Sequence, residues 1–125
     1  TRKSYFEICE CNTIDELRKS YTYGEKYYWQ LVSNAILSGC NHAELIAYMP
    51  YKEELNEIRE QVLFLDNPED IVKYRFITDS EDEHLPHIIQ SGYFKNYHFI
   101  EFEIPESDII FLTERVKKAV QLINL

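Results

Sequence analysis

The residue with the clearest potential for chemistry is Glu7, which lies in a short run of aromatic and β-branched residues, Tyr5–Cys9. Such a run predicts a β-strand. A carboxylate at the end of a strand, within reach of a second carboxylate, can hold a divalent cation that activates water and stabilises the charge that develops on a phosphate. The alternative is a solvated glutamate on an edge strand, and the local sequence on its own favours that alternative.

A second candidate is Gln30, which closes the sequence YYWQ at the start of a predicted helix. The amide offers one acceptor oxygen and an NH₂ donor group, so it can orient a water molecule or a phosphate without adding charge. We expect the Glu7 carboxylate to leave its strand pointing toward the Gln30 amide, across a pocket that could hold a cation, and a nuclease-type site depends on this placement. The alternative is that the aromatic residues belong to the core and that Gln30 is a solvated helix position.

The histidines do not predict a metal site. His84 and His87 have the spacing of two ligands on one helical turn, but Pro86 lies between them and no cysteine or further histidine is near in the sequence. A structural zinc site needs a fuller set of ligands than this pair. His42 and His98 stand alone in the sequence, so we expect them to be surface or hydrogen-bonded residues.

The first half of the chain predicts a strand, two helices and a second strand. Thr13 and Glu16 have the spacing of a helix capping box, which predicts a short helix after the Glu7 strand. Apolar residues recur at helical spacing over Glu25–Leu37, and Gly39 suits the end of that helix. Ala43–Met49 then predicts a strand, so this order indicates a crossover unit in a largely buried sheet.

The second half predicts two more helices and one strand. Apolar positions at helical spacing predict a helix over Tyr51–Leu65, and Asp79–Glu83 predicts an acidic loop. Tyr97–Ile104 alternates in polarity, which predicts a strand with one solvent-facing side. A last helix begins after Pro105, and five of its residues are expected to face the core: Ile109, Leu112, Val116, Val120 and Ile123.

The bulk composition predicts one domain over residues 1–125. A chain of 125 residues that is 45% hydrophobic and 14% aromatic can build one core but not two. No apolar run is long enough to span a membrane and there is no signal-peptide pattern, so we expect a cytoplasmic protein without a membrane partner. The chain starts at Thr1 and enters an apolar stretch at once, which suggests a fragment or a processed chain.

The net charge of −9 is unfavourable for binding DNA, but the charge is unevenly distributed. Residues 1–30 carry as many basic as acidic side chains, whereas residues 51–108 carry three times as many acidic as basic ones. Any contact with nucleic acid is therefore expected in the first third of the chain. The candidate DNA-binding residues there are Arg18, Lys19, Lys26 and Tyr27.

Two consecutive segments, Lys26–Leu37 and Ala43–Pro50, resemble the helix and the last core strand of the phage-type exonucleases in the PD-(D/E)XK superfamily, the lambda-exonuclease-like group of viral recombinases. The resemblance continues more loosely through Gly92–Asn96 and Phe102–Pro105. It implies an α/β fold with a mixed central sheet flanked by helices, a restriction-endonuclease-like core that is incomplete at its N-terminus. It also implies a bacterial or phage-encoded protein that acts on double-stranded DNA ends in recombination, with a phage single-strand annealing protein as a possible partner.

The resemblance also implies roles for individual residues. Glu7 becomes the metal-binding glutamate of the Glu-x-Lys motif, the carbonyl of Ile8 a second ligand for Mg²⁺ or Mn²⁺, and Gln30 the glutamine that organises the site. The family has lysine two residues after the glutamate, where this chain has Cys9, and a shift of one position brings Glu10 there instead. Neither residue supplies the fixed ammonium group that helps to position the attacking water.

The aspartate that precedes the glutamate in the family motif also has no room before Tyr5. We therefore expect a phage-type exonuclease domain that is inactive as this isolated chain. The alternative function is a non-catalytic adaptor or inhibitor that keeps the nuclease scaffold and binds proteins through its acidic face. A partial core leaves an open sheet edge, so self-association is expected in either case.

Overall fold

The computed structural model describes residues 1–124, which form a mixed α/β structure, as the sequence predicts. This part of the chain contains six α-helices, two short 3₁₀ turns and one sheet of two strands. The helices are α1 (Arg2–Cys9), α2 (Ile14–Ser20), α3 (Gly24–Ser38), α4 (Leu55–Leu63), α5 (Pro68–Asp79) and α6 (Glu106–Ile123), and the strands are β1 (His42–Tyr48) and β2 (Tyr97–Glu103).

The chain divides into two compact units, and each unit is built from two segments. The first unit comprises Thr1–Cys9 and Ala47–His98, and the second comprises Glu10–Ile46 and the chain from Phe99 onward. The core of the first unit contains Tyr5, Met49 and Ile88, whereas the core of the second contains Tyr28, Val32, Ala35 and Ile104. The single domain predicted for residues 1–125 stays a prediction.

The strand predicted for Tyr5–Cys9 is wrong, because this segment belongs to α1. Its apolar side chains are all buried or half-buried, at positions that share one side of a helix: Tyr5, Phe6, Ile8 and Cys9. Tyr5 packs against Met49 and Ile88 in the core of the first unit. A short apolar run fits a strand or a helix about equally well, and here the packing of one helical face decides. The predicted crossover unit therefore lacks its first strand.

The predicted N-cap at Thr13 is confirmed, whereas the Glu16 side chain bonds to Asn12 and not, as in a full capping box, to Thr13. The Glu16 N–H donates to the Thr13 hydroxyl at 3.2 Å, and the Glu16 carboxylate accepts from the Asn12 N–H at 3.1 Å. One N–H group of the first turn and the N–H group of the residue before the cap thus find side-chain acceptors. The helix then runs to Ser20.

Helix α3 also follows its prediction. Its buried residues Tyr28, Val32 and Ala35 form the apolar stripe that the spacing predicts. The helix ends at Gly39, which has a φ of 71° and donates its N–H to the carbonyl of Ile36. Only glycine adopts this left-handed conformation without a steric cost, so the chain can leave the helix and enter β1 within a few residues.

The two strands are antiparallel, and their register is fixed at both ends. At one end the Met49 N–H donates to the Asn96 carbonyl at 2.9 Å, and at the other the Ile104 N–H donates to the Asn41 carbonyl at 2.7 Å. In an antiparallel pair, two facing residues have residue numbers whose sum is the same at every position. These two hydrogen bonds therefore identify the partner of each residue in β1. The restriction-endonuclease-like core that the resemblance implies stays a prediction.

Exposure alternates along both strands. The side of β2 that carries Tyr97, Phe99, Glu101 and Glu103 is exposed, as the sequence predicts, and Ile100 is buried. Strand β1 was expected to be largely buried, but every second residue in it is exposed. The sheet therefore packs on one side and faces solvent on the other.

Helix α6 is packed over its first half only. Ile109 and Leu112 contact the core of the second unit, as predicted. The prediction is wrong for Val116, Val120 and Ile123, which are 55%, 49% and 81% exposed. None of the helices within residues 1–124 combines the length and the apolar character that crossing a membrane requires.

In the first unit, the helix predicted for Tyr51–Leu65 is present as a 3₁₀ turn followed by α4. Arg59 on α4 donates to the carbonyl oxygens of Ile77 at 3.3 Å and Ser80 at 3.0 Å, and it pairs with Asp82 at 2.6 Å. One guanidinium thus holds the end of α5 and the acidic segment that follows it.

Candidate functional site

The predicted metal ligands Glu7 and Ile8 lie on α1 in the first unit. Glu7 is half-buried and Ile8 is 8% exposed. Cys9, at the position where the resemblance predicts lysine, is half-buried, and this burial raises the pKa of its thiol despite a hydrogen bond with Tyr5 that lowers it. The thiol is therefore neutral at neutral pH, so this position supplies no positive charge for orienting a nucleophile.

That Glu7 and the Ile8 carbonyl hold Mg²⁺ or Mn²⁺ stays a prediction. Magnesium requires near-octahedral oxygen coordination, and protein sites usually provide one or two carboxylates for it. Within residues 1–124, the side chains that bring three possible ligand atoms within 4.8 Å of one another are His42, Glu44 and Glu101, and Glu7 does not belong to this group. We derive no metal-dependent step from Glu7 and Ile8.

Gln30 lies on α3 in the second unit and is exposed. Lys26 is also exposed and precedes Gln30 by one helical turn, so the two share a face of α3. Lys19 is exposed in the last turn of α2. Tyr27 is half-buried, and its ring centroid lies 5.6 Å from that of Tyr21. Lys19 on α2 and Lys26 and Gln30 on α3 present two ammonium groups and an amide to solvent within the second unit. We call these three residues the basic helical face.

Arg18 is engaged inside the second unit. Its guanidinium lies 3.9 Å from the centroid of the Tyr28 ring and forms two hydrogen bonds with the Glu25 carboxylate, at 2.5 Å and 3.2 Å. The arginine holds the pKa of Glu25 below its ordinary value. A phosphate that contacts Arg18 has to compete with this carboxylate, so Arg18 is a weaker candidate for DNA binding than the two lysines.

Tyr28, whose ring lies under the Arg18 guanidinium, makes a further polar contact below the surface. Its hydroxyl donates to the carboxylate of Asp108 on α6, and its side chain is 1% exposed. Burial, followed by the hydrogen bond with Asp108, raises the pKa of Tyr28 to about 12. The side chain is therefore neutral at physiological pH and structural, because it joins α3 to α6.

The predicted site residues therefore fall into two groups by position in the chain. The basic helical face, Arg18 and Tyr27 belong to the second unit, whereas Glu7 and Ile8 belong to the first. That the Glu7 carboxylate faces the Gln30 amide stays a prediction.

One cluster was missed by sequence reasoning, and it is formed by His42, Glu44 and Glu101 on the exposed side of the sheet in the second unit. The register places Glu44 directly opposite Glu101, and the hydrogen bond and charge of Glu101 raise the pKa of Glu44. His42 was expected to stand alone. Each strand shows its alternation in the sequence, but which strand pairs with which is a long-range property that local sequence does not encode.

The same register places Ile46 opposite Phe99, and these residues are 66% and 53% exposed. Within the second unit the exposed side of the sheet therefore combines an apolar pair with acidic neighbours. We call it the acidic sheet face, formed by His42, Glu44, Ile46, Phe99, Glu101 and Glu103.

The first unit contains an apolar cleft of about 260 Å³. Phe6 and Phe94 stack in its wall with ring centroids 4.6 Å apart, and Arg2 and His87 also line it. Binding pockets for small molecules usually enclose about 300–1,000 Å³. The cleft is smaller than this range and holds no convergent set of polar groups, so we assign it no ligand.

No protein family model, no curated protein and no experimentally determined structure matches this chain.

Proposed function

We propose that this chain is an exonuclease domain of the phage type that engages double-stranded DNA ends through its basic helical face and does not hydrolyse DNA by itself. The observation that carries the proposal is the position of helix α3 and strand β1 in the sequence. These two elements occupy the segments in which the sequence resembles the exonuclease helix and core strand, and Gln30 is exposed on the helix.

The charges of the second unit support contact with a phosphate backbone. Lys19 and Lys26 are exposed and their ammonium groups can exchange water for phosphate oxygens, which releases counterions from the DNA. Gln30 can accept or donate a hydrogen bond next to them without adding charge. The acidic net charge of the chain opposes binding at a distance, so this interaction should be weak and should need low salt.

The absence of hydrolysis follows from the donors near Glu7. The family motif combines an aspartate, a glutamate and a lysine, and this chain matches it with the glutamate alone. Cys9 is a neutral thiol at the lysine position. We therefore expect linear duplex DNA to remain intact in the presence of Mg²⁺ or Mn²⁺.

The experiment compares linear duplex with covalently closed circular duplex of the same sequence as competitors for a labelled blunt-ended duplex. Preference for the linear competitor supports a role at DNA ends. Equal competition would show that the chain binds duplex without regard to ends and would refute the exonuclease relationship. Cleavage of the linear duplex that disappears in Glu7→Gln would refute the claim that the chain is inactive, while supporting Glu7 as a metal ligand.

A second candidate function is a non-catalytic adaptor that binds a protein. The specific observation in its favour is the acidic sheet face, on which Ile46 and Phe99 are exposed beside Glu44 and Glu101. A pattern of exposed apolar residues rimmed by charge is typical of protein contact surfaces. Under this function the chain fails to bind duplex DNA at low salt, and the double variant Ile46→Ser/Phe99→Ser no longer binds a protein partner while remaining folded.

A further inference from the structure

The second half of α6 forms a surface that the fold leaves uncovered. Val116, Val120 and Ile123 follow one another at intervals of four and three residues, so they lie on one side of the helix. Every residue from Glu114 to Asn124 is exposed. A helical segment of this length gains no stability from packing when all its sides face water, and isolated helices shorter than about 12–15 residues are marginal in water. The apolar side of this segment is therefore expected to be covered by another surface.

The charges beside this stripe are basic. At about 100° per residue, Arg115 and Lys117 border the stripe on its two sides, whereas Glu114 and Lys118 lie on the far side of the helix. Lys117 pairs with Glu114 at 3.6 Å, and both side chains are more than half exposed, so this ion pair is weak and can be exchanged for another partner. We call Val116, Val120, Ile123, Arg115 and Lys117 the α6 basic stripe.

The second unit carries a surface of matching character. The acidic sheet face presents the apolar pair Ile46 and Phe99 next to the carboxylates of Glu44 and Glu101. The α6 basic stripe is apolar with cations at its borders, and the sheet face is apolar with anions at its border. The hydrogen bond with Glu101, followed by its charge, raises the pKa of Glu44, and the two carboxylates repel each other when both are charged. A cation brought between them would relieve that repulsion.

We propose that the chain self-associates by docking the α6 basic stripe of one copy onto the acidic sheet face of a second copy. The valine and isoleucine side chains of the stripe cover Ile46 and Phe99, and Arg115 and Lys117 approach Glu44 and Glu101. The occupant is a second copy because each of the two surfaces supplies what the other lacks. This association does not depend on DNA binding and stands or falls separately from the proposed function.

The test is a charge-reversal and mixing experiment by sedimentation velocity over a range of protein concentrations. Arg115→Glu/Lys117→Glu and, separately, Glu44→Lys/Glu101→Lys should each weaken self-association by about tenfold or more, because like charges then face each other across the interface. An equimolar mixture of the two variants should associate again, since each supplies the surface that is altered in the other. The matched control Lys118→Glu changes the same helix on its far side and should associate as the wild type does.

Three results would overturn the proposal. A wild-type chain that stays monomeric at every concentration would show that the two surfaces do not bind. Association that survives Glu44→Lys/Glu101→Lys but is abolished in Val120→Asp would show that α6 pairs with α6 instead. Loss of DNA binding in Arg115→Glu/Lys117→Glu, with unchanged self-association, would assign the stripe to nucleic acid.

Discussion

The guanidinium of Arg18 lies 3.9 Å above the ring of Tyr28, a residue that is 1% exposed, while the same guanidinium pairs with Glu25. Arg18 thereby links α2 to the side of α3 that faces the core. Of the three cationic candidates for DNA binding, Arg18 is committed to the fold, whereas Lys19 and Lys26 are exposed.

Arg18→Ala is expected to lower the free energy of unfolding by about 1–2 kcal/mol, because it removes a cation–π interaction and a partly exposed ion pair together. Urea unfolding followed by circular dichroism measures the change. Lys19→Ala is the matched control, since the neighbouring side chain is exposed, and it should stay within about 0.5 kcal/mol of the wild type. Equal effects of the two substitutions would show that the Arg18 interactions do not stabilise the fold.

Gly24 is expected to tolerate no side chain. A Cβ atom at this position would lie 2.0 Å from the carbonyl oxygen of Leu17, which belongs to the backbone of α2 and cannot rotate away. Gly24→Ala should therefore lower the free energy of unfolding by about 1–3 kcal/mol, although alanine is the better helix former. The control Asn34→Ala changes an exposed position of the same helix and should be neutral or slightly stabilising. A stabilised Gly24→Ala variant would mean that α2 and α3 do not approach each other so closely.

The local elements were predictable where a single sequence signal was strong. The N-cap at Thr13, the stripe of α3 and the glycine stop at Gly39 each depend on residues in or next to one helix, and all three are present. The helix α1 was missed because five residues are too few to separate a strand from a helix, and Tyr5 finds its partners in Met49 and Ile88 far along the chain. The second half of α6 was misjudged because periodicity shows that a helix has an apolar side, not that the chain provides a surface to cover it.

The candidate site was predictable only in part. Lys26 and Gln30 share a helical face because of their spacing alone, so sequence was sufficient for that part. The pairing of Glu44 with Glu101 depends on strand register, which is set by hydrogen bonds between residues far apart in the chain, such as Met49 and Asn96 at one end.

Glu101→Gln is expected to stabilise the protein at neutral pH, because it removes the charge that faces Glu44. Glu101 raises the pKa of Glu44, so the folded chain binds this proton more tightly than the unfolded chain does. This contribution to stability is fully present below the ordinary glutamate pKa of about 4.3, and it disappears as the pH rises through the raised value. The gain from Glu101→Gln should consequently shrink as the pH falls.

Thermal unfolding at a series of pH values checks this expectation. Glu103→Gln is the matched control, because Glu103 lies on the same exposed side of β2 and the register places it opposite His42. It should give no comparable gain at neutral pH. A Glu101→Gln variant that is less stable than the wild type at neutral pH would mean that the two carboxylates do not repel each other in the folded chain.

Fluorescence anisotropy of a labelled blunt-ended duplex determines whether the basic helical face engages DNA. We expect binding at low salt that weakens as salt is added. The slope of this salt dependence should fall by about 2 in Lys19→Glu/Lys26→Glu, one for each phosphate that the variant no longer neutralises. Lys73→Glu, an exposed position on α5 in the first unit, should bind as the wild type does. Binding that is the same in all three proteins, or absent from the wild type at low salt, would contradict DNA engagement by this face.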